Sequence, residues 1–301
     1  MAATETVEDL AEAAETAAKV LPHIIVSVID DMGWGDAPWN AHDAARDAMP
    51  FSHALRNESV SLAAYYAAKS CTPSRAMLLT GRHAATLGAY GVVSKWSAWG
   101  VSLDEALLPE LLEAAAPGAY RAALVGKWDL GHAWRPFWPT RRGFASFGGL
   151  VSASLSDWSS HLIWSRPPLF DLQAGEAPDR DEAKADVYST ELFRRLARAE
   201  IAATRLRNAT TNASSSSAAG GDAPSREERE QRLYLHLGWN AIHSTPQLPP
   251  ARRSSAGGDD EDEEDAPLAA LMRAVVAEVC AVWRGSWRRR RRHRNGDPLR
   301  P

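Results

Sequence analysis

The chain has 301 residues, 45% of them hydrophobic and 24% charged, enough apolar material for a sizeable globular core. Its formal net charge of −4 argues against a generally basic, nucleic-acid-binding surface. Two cysteines, Cys71 and Cys280, are too few and too far apart for a disulfide framework or a zinc ribbon.

Residues 1–20 form an alanine-rich, acidic leader, read as disordered or helical, without the basic and apolar regions of a secretory signal. No run of eighteen apolar residues follows, so no membrane span is expected. Asn-X-Ser/Thr sequons stand at Asn57, Asn208 and Asn212, and matter only in a chain that enters the secretory pathway. His23–Ile29 is a short, β-branched apolar run ending at Asp30-Asp31, as a buried parallel strand followed by a turn would be. Cys71 stands directly before Thr72-Pro73-Ser74, a group suited to a helix N-terminus. It therefore faces the positive end of a helix, where a nucleophile and an anion can meet.

Asp104–Ala115 carries leucines at helical spacing and is stopped by Pro117-Gly118. Tyr120–Val125 reads as a second strand running into Gly126-Lys127. Asp186–Arg207 reads as a long helix, and Leu233–Gly238 as a third strand leading to Asn240–His243. This alternation predicts an α/β domain over 21–250 with a mostly parallel central sheet flanked by helices. Within it, 208–230 is rich in Ser, Ala and Gly and reads as a flexible insertion. Residues 251–267 read as an acidic linker, 268–283 as a helix carrying Cys280 as a buried thiol, and 284–301 as a basic disordered tail.

The stretch Cys71–Arg82, CTPSRAMLLTGR, resembles the sulfatase signature Cys-X-Pro-Ser-Arg-X-X-X-Leu-Thr-Gly-Arg at every specified position. Other segments agree in order: PHIIVSVIDDMGWGD with the opening strand and its aspartate pair, GAYRAALVGKWDLG with the second signature, and LYLHLGWNAIHSTPQLP with a later strand and its histidine. The likeness is to the arylsulfatase B group and runs over about Pro22–Pro250. It implies an alkaline-phosphatase-like α/β sandwich, incomplete at the C-terminal side. It also implies that Cys71 is converted by a formylglycine-generating enzyme into formylglycine, whose hydrate supplies an oxygen nucleophile.

By the same resemblance Arg75 holds that group, Lys127 binds sulfate and supports the leaving oxygen, and His243 protonates the leaving alcohol. Asp30, Asp31 and residue 71 bind a divalent cation, Ca²⁺. The implied partner is a sulfated small molecule or glycan, with no nucleic acid. The family is usually secreted or lysosomal. Taken singly, the aspartate pair reads as a turn, Lys127 as a surface lysine and His243 as a loop residue. Taken together they follow three predicted strands, which brings them to the carboxyl edge of one sheet.

The chain departs from the pattern twice. The second signature of the family reads Gly-Lys-Trp-His, and here Asp129 replaces the histidine, bringing negative charge to a site for an anionic ester. His132 lies three residues further on. The Asp-Asn pair that completes the family metal site on a later strand has no counterpart, and the expected reading is an N-terminal catalytic domain truncated at its C-terminal side. Two other readings follow from these departures and from the fold: a non-catalytic relative that binds sulfated glycans or a partner, and a phosphoesterase of the related fold.

Overall fold

A computed structural model describes residues 21–37, 39–40, 50–152, 162–163, 169–181, 187–215 and 230–243. Three of the apolar runs form parallel strands: β1 (Ile24–Ile29), β2 (Tyr120–Gly126) and β8 (Arg232–Trp239). β3 (Ser146–Leu150) joins them in parallel, and β6 (Leu172–Ala174) and β7 (Ala177–Pro178) extend the sheet antiparallel. The order is β1-β8-β2-β3-β6-β7, while β4 (Leu162–Ile163) and β5 (Leu169–Phe170) pair separately. The expected mostly parallel sheet is present, with an antiparallel margin that the glycine-rich sequence of β3 and the shortness of β6 and β7 had concealed.

Helices cover both faces. On one side α2 (Cys71–Thr80) and α3 (Leu108–Ala115) pack onto a core that includes Ala76, Leu79, Ala122, Leu124, Trp128 and Tyr234. On the other, α4 (Ser189–Ser215) lays Leu192, Phe193 and Ala197 against Ala123, Val125, Leu235 and Leu237. Side chains alternate between these cores along β2 and β8, as the period of two requires. All eight residues of β8 are buried, which explains its nearly continuous apolar sequence. A further short helix, α1 (Pro50–Asn57), lies before the Cys71 segment.

Two boundaries differ from expectation. α4 continues to Ser215, so 208–215 is helical rather than part of a flexible insertion. Asn208 secures this region, accepting from the Gln231 amide at 3.2 Å and donating to the Gln231 carbonyl at 3.1 Å. α3 begins only at Leu108, where the Glu110 carboxylate accepts from the Leu107 amide at 2.7 Å and fixes the helix start. The leader 1–20, the remainder of the insertion (216–229) and the segments 251–267, 268–283 and 284–301 lie outside the described residues. No described helix is long and apolar enough to cross a membrane.

Candidate active site

The register of the sheet places the site. Val28 and Ile29 pair with Gly238 and Trp239, and Gly126 pairs with Gly238, so β1, β8 and β2 end side by side. Asp30, Asn240 and Lys127 are the next residues of the three strands, at the carboxyl edge where open α/β sheets hold ligands. Close approach here demands glycine. A Cβ on Gly126, whose φ is +101°, would stand 2.0 Å from the Gly238 carbonyl oxygen.

Asp30 is the hub. Its Oδ2 accepts from Lys127 Nζ at 2.6 Å, and its Oδ1 pairs with Arg75 Nη2 at 3.3 Å. Arg75 also donates through Nη1 to the Lys127 carbonyl at 2.9 Å. All three side chains are buried. Burial pushes the Asp30 carboxyl up, but Arg75 and Lys127 together outweigh it and hold the pKa below the usual value. Burial pulls Lys127 down, but Asp30 together with Asp129 and residue 71 outweighs it and raises the pKa, so Lys127 remains an ammonium.

Cys71 is the first residue of α2, with Ser70 as N-cap. Ser70 spends no side-chain bond on the cap, and Ser74 Oγ instead donates back to the Ser70 carbonyl at 2.8 Å. Burial raises the Cys71 thiol above its usual pKa; Lys127 opposes that, and Asp30 and Asp129 add to it. As cysteine, residue 71 is therefore a thiol and a weak nucleophile at neutral pH. Ser70 Oγ, Arg75 Nε and Asp129 Oδ2 are buried with no hydrogen-bond partner. Such atoms also occur elsewhere among the described residues, at His53, Ser146 and Thr190 for example, but these three belong to residues at the helix start or bonded to it.

Asp129 sits in the left-handed region, at φ +60°, which turns its carboxylate back into the site. Its Oδ1 accepts from Thr72 Oγ1 at 2.7 Å, and its Oδ2 lies 3.9 Å from Lys127 Nζ. Burial pushes its pKa up to about 6 despite the pull of Lys127 and Thr72. Thr72 was not singled out from sequence, because it fills an unspecified signature position. Its hydroxyl oxygen also accepts from the Val93 amide at 2.9 Å, joining the 90s loop to the site. His132 turns toward that loop, with Nε2 at 3.2 Å from the Lys95 carbonyl.

Asp30, Cys71 and His243 present potential ligand atoms within 4.8 Å of one another. Asp31, also left-handed at φ +56°, lies 3.8 Å from His243 Nε2. The structure thus brings together Asp30, Cys71, Arg75, Lys127 and Asp129, with His243 and Asp31 at their margin. A cavity of about 930 Å³ opens on the Asp30, Asp31, Cys71 and Arg75 side of this group, and Lys127, Asp129 and His243 are not part of its lining. Both oxygens of Asp30 are engaged by cations, and Ca²⁺ takes six to eight oxygen ligands. The described residues do not by themselves fit such an ion.

Comparisons with known proteins give the family. The Sulfatase family model matches residues 22–217. Arylsulfatase J of Mus musculus is 28% identical over 241 residues, 78% of this chain and 35% of that protein. Among solved structures, the PsFucS1 sulfatase from Pseudoalteromonas sp. superposes with a TM-score of 0.59 at 19% identity, over 91% of this chain and 54% of that one. Ps i-CgsB in complex with k-i-k-neocarrahexaose gives a TM-score of 0.57 at 18% identity, over 88% and 55%. The chain thus spans about a third of the curated relative and about half of the solved structures. With the family model covering well over half of its length and its fold shared with solved sulfatases, the chain belongs to the sulfatase family.

Proposed function

We propose that this chain is a sulfuric ester hydrolase of the arylsulfatase type, acting on a sulfated small molecule or glycan. The observation that carries the reading is the buried Asp30–Arg75–Lys127 cluster beside Cys71 at a helix N-terminus. Two cations and the free amides of a helix favour a tetrahedral anion next to residue 71. The unpartnered Ser70 Oγ and Arg75 Nε supply donors that a sulfate oxygen would satisfy.

Formylglycine at position 71 would supply a hydrated aldehyde oxygen as nucleophile, which the raised thiol of cysteine does not. Lys127 and Arg75 hold the ester and offset charge on the equatorial oxygens. Attack of one hydrate oxygen on sulfur would form a new S–O bond as the S–O bond to the alcohol breaks, with His243 delivering a proton to the departing oxygen; the second hydrate oxygen, losing its proton to solvent, would then expel sulfate and restore the aldehyde. Asp129 places a carboxylate where the family has imidazole. Ionised, it opposes an anionic ester, so turnover is slow at neutral pH and improves as pH falls through about 6. The family resemblance adds Ca²⁺ and a formylglycine-generating enzyme; with the described ligands short of a Ca²⁺ set, each step above rests on protein groups alone. A glycan substrate is supported by the oligosaccharide complex of the related solved structure.

A second reading, a sulfatase-like binder without turnover, draws on Asp129 and on the missing Asp-Asn metal ligands. Mass spectrometry of the Cys71 peptide after co-expression with a formylglycine-generating enzyme tests the primary reading. Conversion is expected, and an unmodified thiol would remove the proposed nucleophile.

A further inference from the structure

We infer that Asp171 is a positioning residue for the segment Lys127–Asp129, acting through the end of β3; the inference rests on the proposed catalytic role of that segment. Asp171 lies between β5 and β6, is 1% exposed, and no site reading from sequence included it. It gives three acceptors to two consecutive residues. Oδ1 takes the Ser152 amide at 2.8 Å, Oδ2 takes the Ser152 hydroxyl at 3.1 Å, and its own carbonyl takes the Val151 amide at 3.3 Å.

The residue before these is Leu150, whose carbonyl accepts from the Trp128 amide at 2.9 Å. Trp128 stands between Lys127 and Asp129 in sequence, so the bond fixes the backbone from which both side chains leave. β3 presses on the same place. A Cβ on Gly149 would stand 2.0 Å from the Gly126 carbonyl oxygen, immediately before Lys127. Leu150 through Ser152 therefore form a rest for the 127–129 turn, and Asp171 holds that rest from behind. A buried carboxylate is costly to keep, and burial pushes this one up to about 6. Its acceptors go to backbone and hydroxyl at a single turn, which is the pattern of a group that fixes geometry.

The consequence reaches residue 71 because Lys127 stabilises its thiolate, and does so more strongly than Asp129 opposes it. The test needs no hydrolysis. In a Cys280→Ser background, the rate of Cys71 alkylation by iodoacetamide at pH 8 is compared among Asp171→Ala, Asp171→Asn and Asp171→Glu, with melting temperature measured alongside. Asn keeps an acceptor for the Ser152 amide and a donor for its hydroxyl, so it reacts like the parent. Ala removes the acceptors and Glu displaces them by a methylene while keeping the charge, so both react about threefold to fourfold more slowly. That is the scale of moving an ammonium by about 1 Å from a charge about 4 Å away at an effective dielectric near 20.

A folded Asp171→Ala with the parental rate would overturn the inference. If the Ala variant does not fold, the other two decide: slow Glu with parental Asn supports positioning, and parental Glu with slow Asn overturns it in favour of charge alone. Because alkylation reads geometry at Cys71, its outcome stands apart from whether any sulfate ester is turned over.

Discussion

Replacing Asp30 by asparagine should destabilise the chain severely, because one carboxylate serves two buried cations. Lys127 Nζ lies 2.6 Å from Oδ2 and Arg75 Nη2 lies 3.3 Å from Oδ1, with all three residues nearly excluded from solvent. At an effective dielectric near 20 each contact has a gross attraction of roughly 5–6 kcal/mol. Most of that offsets the desolvation of the charges, yet removing one partner of such a pair costs about 3–5 kcal/mol, because the other is left buried and uncompensated. Here the amide leaves two. Asp129, 3.9 Å from Lys127 and already bonded to Thr72, compensates little.

Urea unfolding at pH 7, followed by the fluorescence of buried Trp128 and Trp239, measures the loss. The Asp30 carboxyl is held below its ordinary pKa in the folded chain, so its stabilisation is full above the unfolded pKa of about 4 and fades as pH falls through the lower, folded value. The difference between parent and Asp30→Asn should narrow in strong acid accordingly. Adding Lys127→Met should recover part of the loss, since it removes one stranded charge. A cost below about 1 kcal/mol at pH 7 would refute the claim that Asp30 is the hub that compensates both buried cations.

Asp129 behaves with the opposite sign: its folded pKa of about 6 lies above the ordinary 3.8, so its contribution is full below about pH 4 and is lost as pH rises to about 6. That loss is roughly 3 kcal/mol at ~1.36 kcal/mol per pH unit, and because Asp171 titrates over the same window, Asp129→Asn should remove about half of the fall in stability between pH 4 and 6; a pH dependence of stability identical to the parent's, from urea unfolding at pH 4, 5 and 6, would contradict it. Asp129→His should raise aryl sulfate turnover by about 10²–10⁴-fold in protein carrying formylglycine, and a fall would mark the aspartate as the working group. Gly126→Ala should cost on the order of 4 kcal/mol or more, since its Cβ meets the Gly238 carbonyl; an unchanged melting temperature would show that the strand ends are looser than described.

Much of the site was legible because its residues follow apolar runs. His23–Ile29, Tyr120–Val125 and Leu233–Gly238 read as strands, and β1, β2 and β8 form within a residue or two of those limits. Their parallel pairing then brings Asp30, Lys127 and Asn240 to one edge without further information. What sequence withheld was held by tertiary contacts. Thr72 and Asp129 are 57 residues apart, and neither residue type announces a partner. Asp171 lies in a segment with no periodicity, immediately ahead of a three-residue strand that pairs only because β3 is beside it. The far part of α4 misled for a compositional reason. Asn208–Ser215 is polar and looks like a linker, but it continues a helix whose earlier turns are anchored by Leu192, Phe193 and Ala197.

The central claim is that residue 71, as formylglycine, works with Lys127 and Arg75 to hydrolyse a sulfate ester. The direct measurement is release of 4-nitrophenol from 4-nitrophenyl sulfate, near pH 5.5, by chain co-expressed with a formylglycine-generating enzyme. The same preparation of Cys71→Ala serves as control, and mass spectrometry fixes the converted fraction. The account predicts release in proportion to that fraction, absent from Cys71→Ala and greater at pH 5.5 than at pH 7.5. Full conversion with no release above the Cys71→Ala background would contradict it.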